Sequence, residues 1–383
     1  MGAGITLAAL YAGIPTSIYD ISDEMLVQAE EYIQRHLDRK GKLQNLDLLK
    51  HTNKLEDLSK ANIIIEAVPE KLALKQELFE KLDQITPKTT TLATNTSTLA
   101  VTAIAASAEN PERVAGMHFF NPAPVLPLVE LVRAARTSQN TLQILTQLAE
   151  RLGKTPVVVS DTPGFIVNRV ARPFYGEALR LLTEGAANHE QIDQIARLGA
   201  GFRMGPFELM DLIGIDVNLA AMRSMYEQTF GEPRYRPQQI QVQKVQQGAL
   251  GKKTGRGFYR YDQQRTIKDP PIPTIRKNSG TVLTGSGTWA PGLTALGRSA
   301  GYRMANGDYA SPGKVSLAIA TAGMDEDLYR QVSEFDQSLA PNIPIICQCA
   351  DVTLTEVATW LKNPERLVGF DGLFLASGKV ATL

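Results

Sequence analysis

The 383-residue chain is poor in cysteine and histidine and has no surplus of either charge. Its two cysteines, Cys347 and Cys349, stand two apart in one apolar run, where a strand turns both side chains to the same face. With no further cysteine nearby, a disulfide framework and a four-ligand metal site are excluded, and a reducing cytoplasm is the expected compartment. Forty Lys and Arg balance forty Asp and Glu, so no long-range field exists to hold nucleic acid or an anionic membrane. Any anion must be met by a local site. No run approaches the roughly 18 consecutive apolar residues of a membrane span, and the first residues lack the basic-then-apolar order of a secretory leader. Apolar residues make up 43% and charged ones 21%, ordinary globular material, and the length asks for two or three cores.

What is present begins with small and apolar residues at helical spacing over 1–13, closing on the stop signal Gly13. Residues 16–20 predict a short strand ending in Asp20, and 22–39 a charged amphipathic helix. Further strands are expected over 62–68, 90–95, 114–117 and 155–159, with helical patterns such as 72–82 between them, which indicates a parallel α/β sheet. From Thr162 the β signal stops, and 167–183, 188–198 and 205–230 carry helical periodicity. Asp269-Pro270-Pro271-Ile272-Pro273 forms a stiff connector. The expected organisation is an α/β domain over 1–160, an all-helical domain over 161–262, a Pro-rich linker over 263–279 and a third unit over 280–383.

That third unit repeats the first. Pro364-Glu365-Arg366-Leu367-Val368-Gly369 matches Pro111-Glu112-Arg113-Val114-Ala115-Gly116 at a displacement of 253 positions, and Asp336-Gln337 falls on Asp83-Gln84 in the same register. Upstream the displacement is 288, placing Ala290 on Gly2 and Asp308 on Asp20. A duplication is expected whose second copy has lost 35 residues between Asp308 and Ala350. Ahead of Ala290, residues 280–287 read as a strand leading into Gly285-Ser286-Gly287. The corresponding strand and two glycines would precede Met1, so the sequence is expected to begin inside a dinucleotide fingerprint whose third glycine, packing helix on strand, is Gly2. Helix packing alone explains such a glycine as readily.

Asp20 stands where an acid accepts hydrogen bonds from an adenosine ribose, and equally where it would cap the next helix. Glu66 and Glu70 flank a strand's C-terminal end, the edge at which open α/β sheets meet ligands, which favours a role for Glu70. Asn95-Thr96-Ser97-Thr98 puts an amide and hydroxyls at another strand end, suited to a polar ligand or to capping. His118 follows a strand, and taken singly is an ordinary interior histidine. Glu130 changes that weighting. Within Leu128-Val129-Glu130-Leu131-Val132 a buried carboxylate needs a partner, and a histidine so paired has one imidazole nitrogen fixed and the other made a better base; the alternative is an edge glutamate facing water. Asn168, mid-helix after the Pro163-Gly164 turn, is locally unfavourable and so expects a partner, with helix capping the weaker alternative.

Asn95-Thr96-Ser97, residues 111–122 with Gly116-Met117-His118-Phe119-Phe120-Asn121-Pro122, Pro163-Gly164-Phe165-Ile166-Val167-Asn168-Arg169, Gly205-Pro206-Phe207-Glu208-Leu209 and residues 251–259 together resemble the 3-hydroxyacyl-CoA dehydrogenase family. The resemblance covers residues 1–262, five motifs in the family's order, and is nearest to the bacterial phenylacetate-pathway branch acting on 3-hydroxyadipyl-CoA or 3-hydroxybutyryl-CoA. It implies a Rossmann-like NAD-binding domain and an all-helical dimerisation domain, and the internal match read above adds a degenerate second Rossmann-like repeat after them. It further implies a catalytic His118 oriented by Glu130, with Ser97 and Asn168 holding the substrate oxygen and the imidazole. NAD contacts are implied for Asp20, Glu70, Lys75, Ser97, Asn121 and Lys253, besides Gly2. The expected partners are an acyl-CoA substrate and a second copy of the chain, with no metal, nucleic acid or membrane.

The expected reaction is oxidation of a 3-hydroxyacyl thioester to the 3-ketoacyl thioester. Its rival is a catalytically inactive remnant or structural member of the same family. In the third unit Ser97 becomes Ala350, His118 becomes Asp371, Asn121 becomes Phe374 and Glu130 becomes Leu383. The repeat is therefore expected to have no dehydrogenase activity of its own.

Overall fold

The computed structural model describes residues 1–261, 280–287, 289–306, 315–322, 326–349 and 352–370. The expected linker over 263–279 and the positions Asp308, Ala350, Asp371, Phe374 and Leu383 lie outside the described residues. The chain divides into two compact units, one of residues 1–176 and 219–237, the other of residues 177–218 and 238–383.

The first unit opens with α1 (Gly2–Tyr11), closed by Gly13 at φ +68°. Strand β1 (Thr16–Tyr19) leads to α2 (Asp23–Arg39), whose N-cap is Ser22, with Asp23 and Glu24 in its first turn. Leu7 and Leu10 of α1 pack on Ile33 and Leu37 of α2. Strand β2 (Leu49–Thr52), which the sequence pattern does not signal, pairs parallel with β1. Then follow β3 (Ile63–Glu66), α3 (Leu72–Ile85), β4 (Thr91–Thr94), α4 (Val101–Ala105), β5 (Val114–Phe119), β6 (Leu128–Arg133), α5 (Gln139–Arg151) and β7 (Thr155–Ser160). They form a five-stranded sheet in the order β3-β4-β5-β6-β7.

The sheet is mixed, which corrects the expectation of a parallel one: β5 and β6 run antiparallel. A parallel return needs a crossover of a dozen or more residues, and the chain between β5 and β6 is only residues 120–127. Every residue of β4 and β5 is buried, as befits strands covered on both faces. Leu92, Val114 and Val132 meet Phe79, Leu82 and Ile104 of α3 and α4 on one face. Ala93, Ala115, Met117 and Leu131 meet Ile5 of α1 and Leu142 and Leu145 of α5 on the other.

In α6 (Val167–Glu184) the helical expectation over 167–183 is met. The pattern over 188–198 resolves into α7 (His189–Gln194), capped by Asn188, and a wide π turn. That over 205–230 breaks at Gly214, φ +105°, into α8 (Pro206–Ile213) and α9 (Ile215–Gln228), followed by α10 (Gln239–Gln246). Two buried carboxylates organise the motifs of the second unit. Asp193 accepts from the amides of Phe207 and Glu208 and from the Tyr259 hydroxyl, and Asp211 accepts from the amides of Phe258 and Tyr259. A Cβ on Gly205 would lie 2.3 Å from Asp193 and one on Gly257 2.1 Å from Asp211, so both positions need glycine. Burial pushes the Asp193 carboxyl up to about 6.

The remainder of that unit is β8 (Thr281–Thr284), α11 (Ala290–Ser299), β9 (Arg303–Asn306), β10 (Val315–Ala320), α12 (Glu326–Ser338), β11 (Ile345–Gln348), α13 (Leu354–Ala358) and β12 (Leu367–Phe370). Among the described residues these strands pair in parallel, in the order β12-β11-β10-β8-β9. Cys347 is buried in its core, where burial pushes the thiol up to about 12. Among the described residues no helix is long and apolar enough to cross a membrane.

A buried ion pair locks the first unit's β4 and β5 to α3. Arg113 donates from Nε and Nη2 to Asp83 at 2.9 and 2.7 Å, and the other Asp83 oxygen accepts from the Glu109 amide at 2.9 Å. Asp83→Ala leaves a buried guanidinium without its counter-charge, and we expect it to lower the unfolding free energy of this unit by about 3–5 kcal/mol, measured by urea titration. A loss below about 1 kcal/mol, the scale of a surface pair, would show that the pair is not holding the layers together.

Candidate active site

Antiparallel pairing places His118 of β5 directly opposite Glu130 of β6. Nδ1 of the imidazole lies 2.8 Å from Glu130 Oε2, with the two residues 5% and 1% exposed. The other carboxylate oxygen accepts from the amides of Ile166 and Val167, each at 2.9 Å. These are the opening amides of α6, where unsatisfied N–H groups and the helix dipole favour an anion. Burial alone would push the Glu130 carboxyl up, but the hydrogen bonds from His118, Val167 and Ile166 outweigh it and hold the carboxyl below the ordinary range. The turn that aims those amides is Pro163-Gly164-Phe165, with Gly164 at φ +73° and Phe165 at φ +50°. A bulky residue in the left-handed region is strained. Phe165 is nonetheless 2% exposed, its ring edge-on to His118 at 5.8 Å.

A second cluster sits at the C-terminal ends of β3 and β4. Oε1 of Glu70 accepts from Thr96 Oγ1 at 2.7 Å, from the Ser97 amide at 2.9 Å and from the Thr98 amide at 3.0 Å. Ser97 Oγ lies at 3.4 Å from the same atom, the loose end of the hydrogen-bond range, which leaves the hydroxyl able to turn. Burial raises the Glu70 carboxyl, yet the Thr96 hydroxyl, the Lys75 charge and the loop amides bring it below the ordinary range. Lys75 is 1% exposed, its Nζ 2.6 Å from Glu66 Oε1 and 3.3 Å from Glu70 Oε2. The placement makes Lys75 a support for Glu70.

The two clusters are joined. Asn168 donates from Nδ2 to the Ser97 carbonyl at 3.2 Å, so one helix start holds both the Glu130 carboxylate and the Ser97 loop. Asn95 Oδ1 accepts from the Phe119 amide at 2.8 Å, tying the end of β4 to the residue after His118. His118, Glu130, Ser97 and Asn168 thus belong to one connected network. Asp20 ends β1 with Oδ1 on the Ser22 amide at 3.0 Å, while Ser22 is the helix cap. Asn121 is exposed just past β5.

The close packing expected of Gly2 is not found. A Cβ there would meet nothing within 4 Å, and the close approach falls instead on Gly4, whose Cβ would meet Ala123 and Pro124 at 3.5 Å. Lys253 belongs to the second unit, where its Nζ pairs with Asp216 at 2.6 Å. Two supports escape sequence reasoning. Gln228 donates to the Thr98 carbonyl at 2.7 Å from 130 positions away, and Lys154 ties down the loop after Asn121 through the Ala123 and Leu126 carbonyls at 2.6 and 2.9 Å. Neither carries a local signal, since each acts only across the fold. Among the described residues no group of His, Cys, Asp and Glu could hold a metal ion.

Residues 1–162 match the family model described as 3-hydroxyacyl-CoA dehydrogenase, NAD binding domain, which defines the class as a dinucleotide-binding dehydrogenase. Residues 164–261 match 3-hydroxyacyl-CoA dehydrogenase, C-terminal domain, and the chain belongs to the 3-hydroxyacyl-CoA dehydrogenase family. It is 46% identical over 274 residues to the 3-hydroxyadipyl-CoA dehydrogenase of Escherichia coli (strain K12), covering 69% of this chain and 58% of that relative. It is 41% identical over 273 residues to the probable 3-hydroxybutyryl-CoA dehydrogenase of Bacillus subtilis (strain 168), covering 69% of this chain and 95% of that one. A solved 3-hydroxybutyryl-CoA dehydrogenase from Escherichia coli K12 is similar at a TM-score of 0.68 and 34% identity, covering 100% of this chain and 84% of its own. The (S)-3-hydroxybutyryl-CoA dehydrogenase of Ralstonia eutropha gives 0.66 at 39% identity over 69% of this chain and 96% of its own.

Glu130 also sets a pH dependence. Its folded pKa is depressed, so its contribution to stability is complete above the unfolded value of about 4.3 and is lost as pH falls through the folded value. We expect Glu130→Gln to be destabilised most near neutrality, with the gap to the parent closing at low pH. Denaturant unfolding across that range measures it; a gap of constant size would mean the carboxylate charge is not what the site uses.

Proposed function

We propose that this chain interconverts 3-hydroxyacyl-CoA and 3-ketoacyl-CoA with NAD as redox partner, and that His118 is its acid–base group. The observation that carries the reading is the buried His118–Glu130 pair with its second carboxylate oxygen held by the start of α6. With Nδ1–H donating to Glu130, Nε2 is left as the acceptor that takes the proton of the 3-hydroxyl, and Glu130 stabilises the imidazolium that results. The Ser97 hydroxyl donates to the oxygen that becomes the ketone, and Asn168 fixes the Ser97 loop in place.

The residues present fit a dinucleotide. β1, β3 and β4 carry Asp20, Glu70 and Ser97 at or just past their C-terminal ends, where open α/β sheets meet such ligands. Asp20 would hold the ribose, with Glu70, Lys75 and Asn121 of the same unit as the further contacts that the resemblance implies. When bound, NAD supplies the hydride acceptor.

Residues 280–370 are read as a second, shortened copy of the first α/β domain, with 161–262 as the helical domain between them. Support comes from α4 and α13, and from the turns Pro111–Arg113 and Pro364–Arg366, each pair 253 positions apart. The Arg113 network also recurs at that displacement: Arg366 donates from Nε and Nη2 to Asp336 at 3.1 and 2.7 Å, and the Lys362 amide donates to the other Asp336 oxygen at 2.6 Å. On this reading the loss falls between β9 and β10, and among the described residues of the copy no element corresponds to α2 or β2. Its glycine turn is filled from within. Gln331 accepts from the Thr321 amide at 2.7 Å and donates to the Ser286 carbonyl at 3.0 Å, and a Cβ on Gly285 would lie 2.0 Å from it. A packing role for this copy follows.

His118→Gln is expected to lower kcat for acetoacetyl-CoA reduction by about 10²- to 10⁴-fold, leaving NADH affinity unchanged in a fluorescence titration. Near-normal turnover would sink the assignment. We further propose a homodimer through the helical domain, since Leu198, Leu212, Ile213 and Val217 of the second unit are 41–51% exposed. Sedimentation at micromolar concentration should give the mass of two chains, and a monomer across that range would contradict it.

A further inference from the structure

Helix α6 carries a buried cation that the proposed chemistry does not use. Arg172 is 6% exposed, and its Nε has no hydrogen-bond partner. Three arginines are buried among the described residues, and Arg113 and Arg366 each have an aspartate at 2.7 Å. For Arg172 no carboxylate stands within reach among the described residues; its one neighbour of note is the Tyr175 ring, 4.8 Å from the guanidinium carbon. A guanidinium cannot be deprotonated in a protein, so it stays charged wherever it is buried. Among the described residues this desolvated cation thus lacks the anion that its two counterparts have.

Its place on α6 says which anion. Asn168 and Arg172 are four apart and share a helix face. That face begins at Asn168, which reaches the Ser97 carbonyl, while the amides just before it hold Glu130 beside His118. Four residues advance a helix by about 6 Å, the reach of a short acyl chain continuing past the carbon that reacts at His118. We propose that Arg172 binds a carboxylate at the far end of the acyl chain, making the preferred substrate a 3-hydroxy dicarboxylic acyl-CoA. The planar, two-pronged guanidinium matches a single carboxylate, and excluding water strengthens the pair. This assignment rests on the dehydrogenase reading above and names its substrate class.

The test compares 3-hydroxyadipyl-CoA with 3-hydroxyhexanoyl-CoA, which have the same carbon count and the same CoA phosphates and differ in the terminal carboxylate. For the full chain with NAD, kcat/KM should favour the dicarboxylic substrate at least about 10-fold, and Arg172→Met should cut that substrate by about 10²-fold, the scale for removing one member of a buried charge pair. Hexanoyl turnover should hold, and Arg172→Lys should keep part of the preference. Calorimetric binding of adipyl-CoA against hexanoyl-CoA to the same proteins reads the site without turnover. If neither hydroxyacyl-CoA is oxidised but the Arg172-dependent binding preference remains, the dehydrogenase reading fails and the carboxylate site stands. Equal losses on both chains would point to a CoA phosphate and overturn the proposal, as would a parent protein with no preference in turnover and binding. The melting temperature of ligand-free Arg172→Met separates the roles further. It should rise, because an unpaired buried charge is removed; a fall with the preference intact would make Arg172 a folding residue and overturn the assignment.

Discussion

One buried carboxylate holds this site together. Glu130 sits inside the sheet at 1% exposure, where an unpaired charge would be prohibitive, and three donors from two directions make it tolerable. His118 comes from the neighbouring strand, and the amides of Ile166 and Val167 come from the start of α6. Because those donors are the helix's own unsatisfied ends, the carboxylate both orients the imidazole and fixes where the helix begins. The strained Phe165 is part of that arrangement: its backbone conformation turns the chain so that two successive amides converge on one oxygen.

The same logic extends outward in alternating charge. From α6 the Asn168 amide reaches the Ser97 loop, the loop's amides and hydroxyls close on Glu70, and Glu70 leans on Lys75, which is anchored in turn on Glu66 at the end of β3. Each ionised group has its counter-charge or several N–H donors, so the cluster can be stiff without being solvated. Stiffness matters for proton transfer, which demands hydrogen-bond geometry between donor and acceptor.

Much of this was legible in the sequence, for identifiable reasons. The pairing of His118 with Glu130 could be foreseen because a carboxylate amid Leu and Val residues must have a partner and few histidines were available. Helix ends at Gly13 and Ser22 followed from local backbone preferences. The antiparallel turn between β5 and β6 was not foreseen, since strand direction depends on how the chain returns and not on the strand's own residues. The burial of Lys75 between two glutamates has no local sequence signal, and Gly2 looked like a packing glycine although the close approach belongs to Gly4. Gln228 and Lys154 act across sequence separations that no local pattern encodes.

The reversal over residues 120–127 has a consequence for what this chain can tolerate. Side chains alternate faces along a strand, so a slip of one residue between β5 and β6 would bring Val129 or Leu131 opposite His118 and turn Glu130 to the other side of the sheet. Surface loops ordinarily absorb single insertions and deletions with little harm. Here the length of a loop sets the register of a buried pair, and Lys154 clamps that loop by two carbonyls at its middle and end. The hairpin behaves as a ruler, its length held to a single value by the chemistry beside it.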